Sequence, residues 1–193
     1  MLRTTRSAAV VLSAALVALG ATACNADTGE SVSTAPKAAA ADKAQGNGAS
    51  RKAAPRKAAK VGDTISLKGM ETTADVTVLK VVDRAKGADE FNTPDAGKRF
   101  VAVQFRIRNT GRKAYSDSPS NGAKVVDAEG QGFDSWIADT AAGPGFPADV
   151  HLAPGGTAKG FITFQVPKGA RIDKVQFGMD SGFADQTGQW DVR

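Results

Sequence analysis

Apolar and polar residues alternate most cleanly between Gly97 and Gly111. Val101, Val103, Phe105 and Ile107 fall on one side of a two-residue period, and Ala102, Gln104, Arg106 and Arg108 fall on the other. A pleated strand sends successive side chains to opposite faces, so this run predicts a strand with one buried face and one wet face. It closes on Asn109-Thr110-Gly111, where Asn and Gly tolerate the positive φ of a tight turn.

Weaker versions of the same pattern surround it. Val61 to Leu67 predicts a short first strand, and Asp75 to Val82 a second. A polar loop from Asp83 to Gly97 leads into the long strand. Lys124–Asp127 and Phe133–Ile137 flank Ala128-Glu129-Gly130-Gln131-Gly132, a predicted hairpin with glycines for its turn. Ala141 to Pro147 is rich in Gly and Pro and predicts a loop. Leu152-Ala153-Pro154-Gly155-Gly156 predicts a turn before a strand from Thr157 to Val166, in which Ile162, Phe164 and Val166 share a face. Lys174–Phe177 and Gln189–Val192 complete the set. Many short strands, frequent turns and no helical stripe predict an all-β antiparallel sandwich.

Composition changes the picture mainly through its distribution. The chain has 193 residues and a formal charge of +5. Arg3 and Arg6 account for part of it, and Lys37, Lys43, Arg51, Lys52, Arg56 and Lys57 outweigh Asp27, Glu30 and Asp42. Residues 60–193 are left in balance. A nucleic-acid-binding domain needs a basic face to neutralise phosphates, so nucleic acid is not an expected partner.

The first 23 residues have a cationic start, an apolar run from Ala8 to Gly20 and small residues at the end. The run is shorter than the roughly 20 residues a spanning helix needs, and the pattern is that of a secretory signal. It ends at Leu19-Gly20-Ala21-Thr22-Ala23-Cys24, which holds the single cysteine of the chain. Small residues before one cysteine resemble the bacterial lipobox, although Ala21 stands where Leu is usual. The resemblance implies a diacylglycerol on the Cys24 sulfur and a location on the outer face of the cytoplasmic membrane. Two buried acyl chains, at about 0.8 kcal/mol per methylene, would make a stable anchor.

Residues 24–59 are mostly Ala, Lys, Arg, Ser, Thr, Gly and Pro, with Val32 the one large apolar residue. Such a segment cannot bury enough surface to offset its ordering entropy and is expected to be a disordered tether. As a coil it would span roughly 30 Å. Its basic stretch from Arg51 to Lys60 reads first as a solvated spacer with lysines for solubility, and as the alternative suits anionic head groups or an anionic wall polymer.

Within residues 60–180 the order of motifs is informative. Val61-Gly62-Asp63-Thr64 is followed by Gly97-Lys98-Arg99-Phe100-Val101-Ala102-Val103 with Asn109-Thr110-Gly111. Then come Val126-Asp127-Ala128-Glu129-Gly130, Leu152-Ala153-Pro154-Gly155-Gly156, Lys159-Gly160-Phe161 and Phe164-Gln165-Val166-Pro167. This succession resembles the bacterial telokin-like domain-of-unknown-function family 4352. The resemblance implies an immunoglobulin-like sandwich over residues 60–193, of a kind common in lipoproteins and secreted proteins of Gram-positive bacteria, actinomycetes especially. It carries no catalytic residue over to this chain.

Candidate chemistry is sparse. His151 is the sole histidine and reads as a surface residue at a strand edge. With Cys24 as the only thiol, no zinc site of the usual kind and no cofactor is expected. Asp127 to Asp134 lacks the alternating ligands of a calcium loop and reads as a polar hairpin. Asp89, Glu90 and Asp95 read as solvated carboxylates. No enzyme is expected. Trp136 and Trp190 suit a sandwich core by size. Trp136 is also a binding candidate together with Phe146, which sits between Gly145 and Pro147 where a loop could present it or fold it back as a plug. The expected role is a non-catalytic binding or structural surface module with an unidentified surface partner. An exported accessory or inhibitor of an envelope enzyme or transporter is the alternative.

Overall fold

The computed structural model describes residues 31–37 and 58–193. Eleven strands form the domain: β1 (Ser31–Ser33), β2 (Thr64–Lys68), β3 (Thr73–Ala85), β4 (Lys98–Asn109), β5 (Tyr115–Asp117), β6 (Ala123–Asp127), β7 (Gly132–Asp134), β8 (Val150–Leu152), β9 (Thr157–Pro167), β10 (Ile172–Gly178) and β11 (Gln186–Asp191). One turn of helix, α1 (Pro119–Gly122), and a 3-10 turn at Asp180–Gly182 complete it. One sheet has the order β1-β11-β10-β6-β7 and the other β2-β3-β4-β9; β5 and β8 pair separately. The two larger sheets face each other as the antiparallel sandwich the alternation predicts, in the immunoglobulin-like form the family resemblance implies.

β4 is central to its sheet, in register with β3 on one side and β9 on the other. Val101, Val103, Phe105 and Ile107 are fully buried in the core. They share it with Phe164 and Val166 of β9 and with Val125, Val175, Phe177 and Trp190 of the facing sheet. The rings of Phe105 and Phe177 lie 5.5 Å apart at 45° across the sandwich, a favourable tilted pairing. Trp190 takes the core position its size suggests, and its indole N–H donates to the carbonyl of Asp63 at 3.0 Å.

The other face of β4 is wet only along half its length. Arg106 and Arg108 are exposed, but Phe100 and Ala102 are buried. Their cross-strand neighbours on β9 are Gln165 and Thr163, also buried. Two loops lie over this end of the sheet. Residues 86–97 and 135–147 join each other through Ala88 N to Asp139 O (3.0 Å) and Ala141 N to Lys86 O (2.9 Å). They join β9 through Asp95 N to Gln165 Oε1 (2.7 Å) and Trp136 N to Thr163 O (2.7 Å). The expected strand Phe133–Ile137 accordingly divides. β7 pairs with β6 in one sheet, and Ser135 bridges Phe164 in the other.

Three expectations are corrected. The proposed tether, 24–59, is not uniformly without structure. Ser31–Ser33 adds to β11 in parallel, Val32 opposite Thr187. Lys37 N donates to Thr64 O, Lys37 Nζ is paired with Asp75, and Ala59 is fully buried. Strand addition satisfies backbone groups, which composition does not report. Cys24, the signal and the basic stretch up to Lys57 lie outside the described residues. The second correction is at the end of β4, where no residue of Asn109-Thr110-Gly111 has positive φ. The buried Asn109 side chain makes the turn instead, accepting from Gly111 N at 2.9 Å. Such an Asx arrangement substitutes a side-chain oxygen for a backbone one. The third is Trp136, which is 46% exposed and outside the core.

Candidate functional site

The site is built on the edge of β9. An edge strand presents unpaired N–H and C=O groups that a folded protein must cover or use. Here two short segments cover them. Phe161 N donates to Pro144 O at 2.9 Å and Phe146 N to Phe161 O at 3.1 Å, while Trp136 N takes Thr163 O. Gly160 makes the approach of Gly145 and Phe146 possible: a Cβ there would stand 2.7 Å from Phe146 N. Between these attachments the loops stand away from the strand and enclose a pocket of about 490 Å³. Phe161, Ile162 and Thr163 line it from the strand, Trp136 to Thr140 with Gly143, Gly145 and Phe146 from the loops, and Ser120 and Asn121 from α1.

Its lining is mixed. Trp136 and Ile137 form an apolar rim, Ile137 being fully exposed. Lys98 Nζ lies 5.9 Å from the Trp136 ring centroid, a cation–π contact that steadies the indole from one side. Asp139 and Asn92 are held together by the Asp139 N–H donating to Asn92 Oδ1 at 2.8 Å. Thr140 is buried, and its hydroxyl has no hydrogen-bond partner among the described residues. An orphaned buried hydroxyl costs about 1–3 kcal/mol unless something polar reaches it.

The structure brings both binding candidates to this one pocket. Phe146 is half-buried and packs on the core, as a plug, while Trp136 faces solvent. Asp139, Asn92 and Thr140, which share the pocket, were not legible in the sequence. They lie in polar loops without period, and only backbone pairing between those loops places them.

Elsewhere the polar groups serve the fold. The Asp89 carboxylate accepts from Asn92 Nδ2 and from the N–H groups of Phe91 and Asn92, and these bonds hold it below the usual carboxylate range. Asp95 bonds Lys98 and Gln165 instead of pairing with Asp89. Asp127 Oδ1 accepts from Glu129 N and Gln131 N and so ties the β6–β7 hairpin, whose Gly130 has φ +86°. His151 is exposed on β8, its Nδ1 2.9 Å from Ser116 Oγ on β5. Neither residue lines the pocket.

Comparison with known proteins places this architecture. In Bacillus subtilis the uncharacterized protein YxkC is 36% identical over 88 residues, which cover 45% of this chain and 47% of that one. The match therefore spans about half the length of that relative. Among solved structures, the secreted protein MPT63 of Mycobacterium tuberculosis superposes with a TM-score of 0.51 at 18% identity, covering 68% of this chain and 94% of MPT63. The YjhA protein of Bacillus subtilis does so with a TM-score of 0.50 at 15% identity, covering 70% and 99%. These two likenesses establish the fold. The family described as "Domain of unknown function (DUF4352)" matches residues 59–187, most of the described domain, and this chain is a member of it.

Proposed function

We propose that the protein is an exported, lipid-anchored module that binds a surface partner through the pocket on the β9 edge and catalyses no reaction. The observation that carries this reading is the exposed Trp136–Ile137 rim over a formed pocket that Asn92, Asn121 and Asp139 also line. Exposed large apolar residues beside convergent polar groups are the usual make-up of a binding site. The rim is held on the sheet by backbone hydrogen bonds, so little entropy is lost on binding. A ligand with one apolar face and one face of hydroxyl or amide groups suits Trp136, Asn121 and Asp139. Anchoring rests on Cys24 at the end of the secretory signal, with the lipid on its sulfur and the domain outside the cytoplasmic membrane.

Capture from an envelope extract with the immobilised protein tests the pocket. Trp136→Ala and Ile137→Ser are expected to lose the captured partner with a melting temperature close to that of the parent. A capture profile unchanged in both variants would rule the pocket out. Intact-mass analysis tests the anchor, and Cys24→Ala is expected to leave the membrane fraction.

A further inference from the structure

The two ends of the sandwich are unlike, and one of them is where the chain arrives from Cys24. β1 runs parallel to β11, starting opposite Gln186. Ser31 N donates to Asp185 O at 2.6 Å. The chain therefore enters the domain beside the 3-10 turn at Asp180–Gly182, and not at Lys60, which bridges Asp191 at the far end of β11. Only six residues separate Cys24 from Ser31. A chain of that length reaches about 25 Å at full extension and roughly 15 Å as a coil. The spacing falls to about half of what a tether running to residue 59 would allow.

The end so brought close carries two exposed apolar side chains. Met70, in the β2–β3 turn, is 68% exposed and Phe183 is 77% exposed. Both are fixed to one residue: Met70 N donates to Asp180 Oδ2 at 2.6 Å and Phe183 N to Asp180 O at 3.0 Å. Around them stand Lys68, Arg112 and Lys113 against Glu71, Asp180 and Asp185, with Lys113 and Glu71 paired at 3.2 Å. Asp117, bonded to Ser181 beneath the turn, adds a further carboxylate, so the end is weakly acidic and the apolar tips, not attraction to anionic lipid, would hold it at the surface. The opposite end differs. Its cavity of about 370 Å³ is lined by Arg84, Arg99, Lys168, Arg171 and Arg193 with Asp83, and the β3–β4 loop that leaves from it carries the exposed Phe91, so it is the entry of the chain at β1, not apolar exposure, that sets the two ends apart.

We propose that β1 docking holds the Met70–Phe183 end of the sandwich against the membrane, with both side chains in the interfacial layer of the phospholipid. Phe and Met at a loop tip gain free energy by entering the headgroup–acyl boundary, which lies within about 5–10 Å of the surface. The lipid on Cys24 supplies the local concentration, and two side chains then suffice to orient the domain. The β9-edge pocket and the cationic end are left free for a partner in the cell envelope. This inference rests on the anchored reading above.

The test uses the full-length lipoprotein in phosphatidylethanolamine–phosphatidylglycerol vesicles. With Cys24 acylated, a cysteine introduced as Phe183→Cys or Lys168→Cys is the only free thiol and takes a polarity-sensitive fluorophore. Nitroxide-labelled lipid is expected to quench the probe at 183 severalfold more than the probe at 168. Ser31→Pro with Ser33→Pro, which removes β1 backbone donors, should erase that difference while the protein stays vesicle-bound. Equal quenching at the two sites in acylated, vesicle-bound protein overturns this inference alone. A protein that carries no lipid and stays in solution overturns the anchored reading and this inference with it.

Discussion

Asn109 closes β4 with its whole amide. Oδ1 accepts from Gly111 N (2.9 Å) and Thr72 Oγ1 (3.2 Å), while Nδ2 donates to the carbonyls of Lys113 (2.8 Å) and Leu152 (3.0 Å). The residue is fully buried, so its amide relies on these four partners in place of water. Close approach is enforced nearby: a Cβ on Gly111 would stand 2.0 Å from Thr72 Oγ1. Asn109→Asp keeps the shape and turns both donors into an acceptor facing two carbonyls. An unsatisfied buried group costs about 1–3 kcal/mol, and a charge more, so the variant is expected to lose about 2–4 kcal/mol by urea unfolding at neutral pH. The introduced carboxyl would have a raised pKa in the fold, so the loss should shrink as pH falls and a proton returns one donor. Arg99 does comparable work at the other end of β4. Its Nε donates to Asp83 (2.8 Å) and its two terminal nitrogens to the carbonyls of Pro167 (2.6 Å) and Ala170 (2.8 Å). Asp83 is half-exposed, so the ion pair itself contributes little and the two carbonyls matter more.

At the scale of elements, β4 shows what alternation can and cannot say. Phe105 is fully buried against Phe177, and Arg106 is exposed with one bond to Thr77 Oγ1. Phe105→Ala is expected to cost about 3–5 kcal/mol through lost transfer energy and the cavity left behind. Arg106→Ala should stay within about 0.5 kcal/mol. Denaturant midpoints for the two variants check both numbers, and similar losses would mean the face assignment is wrong. The inner faces of β4 and β9 were legible because a two-residue period separates core from solvent, whereas β3 slips at a bulge after Val78 and sets Val81, not Val82, against the core. The cover over Phe100 and Ala102 was not legible, since alternation reports one sheet's two faces and says nothing of a loop laid across the wetter one. β1 was invisible for a different reason. Ser-Val-Ser has too little apolar content to predict a strand, and Val32 itself stays 57% exposed. Its place comes from backbone pairing to an edge that only the assembled sheet provides. The pocket was legible in two of its residues, Trp136 and Phe146, because aromatic residues beside glycine and proline stand out in a loop.

For the whole molecule, Tyr115 offers a reporter that the chain already contains, since it is the only tyrosine. It is buried on β5, where its hydroxyl donates to Asp117 Oδ2 at 3.0 Å. Asp117 in turn accepts from Ser118 N, Ser181 N and Ser181 Oγ, which ties β5 to the 3-10 turn beside the sandwich. Burial, and then the Asp117 carboxylate, push the phenol's pKa far above its ordinary value of 10.0. The folded state therefore keeps a proton that the unfolded state releases above about pH 10. Stability from this group is whole below that pH and falls as pH rises, by up to about 1.4 kcal/mol per pH unit. Lysines titrate in the same range, so the comparison is with Tyr115→Phe, which shares them and leaves Asp117 its three other donors. The parent's stability is expected to fall more steeply with pH above 10 than the variant's. Phenolate absorbance should appear only together with the loss of native tryptophan fluorescence. A phenolate signal near pH 10 in protein that is still folded would show that Tyr115 is open to water and that this end of the sandwich is not sealed.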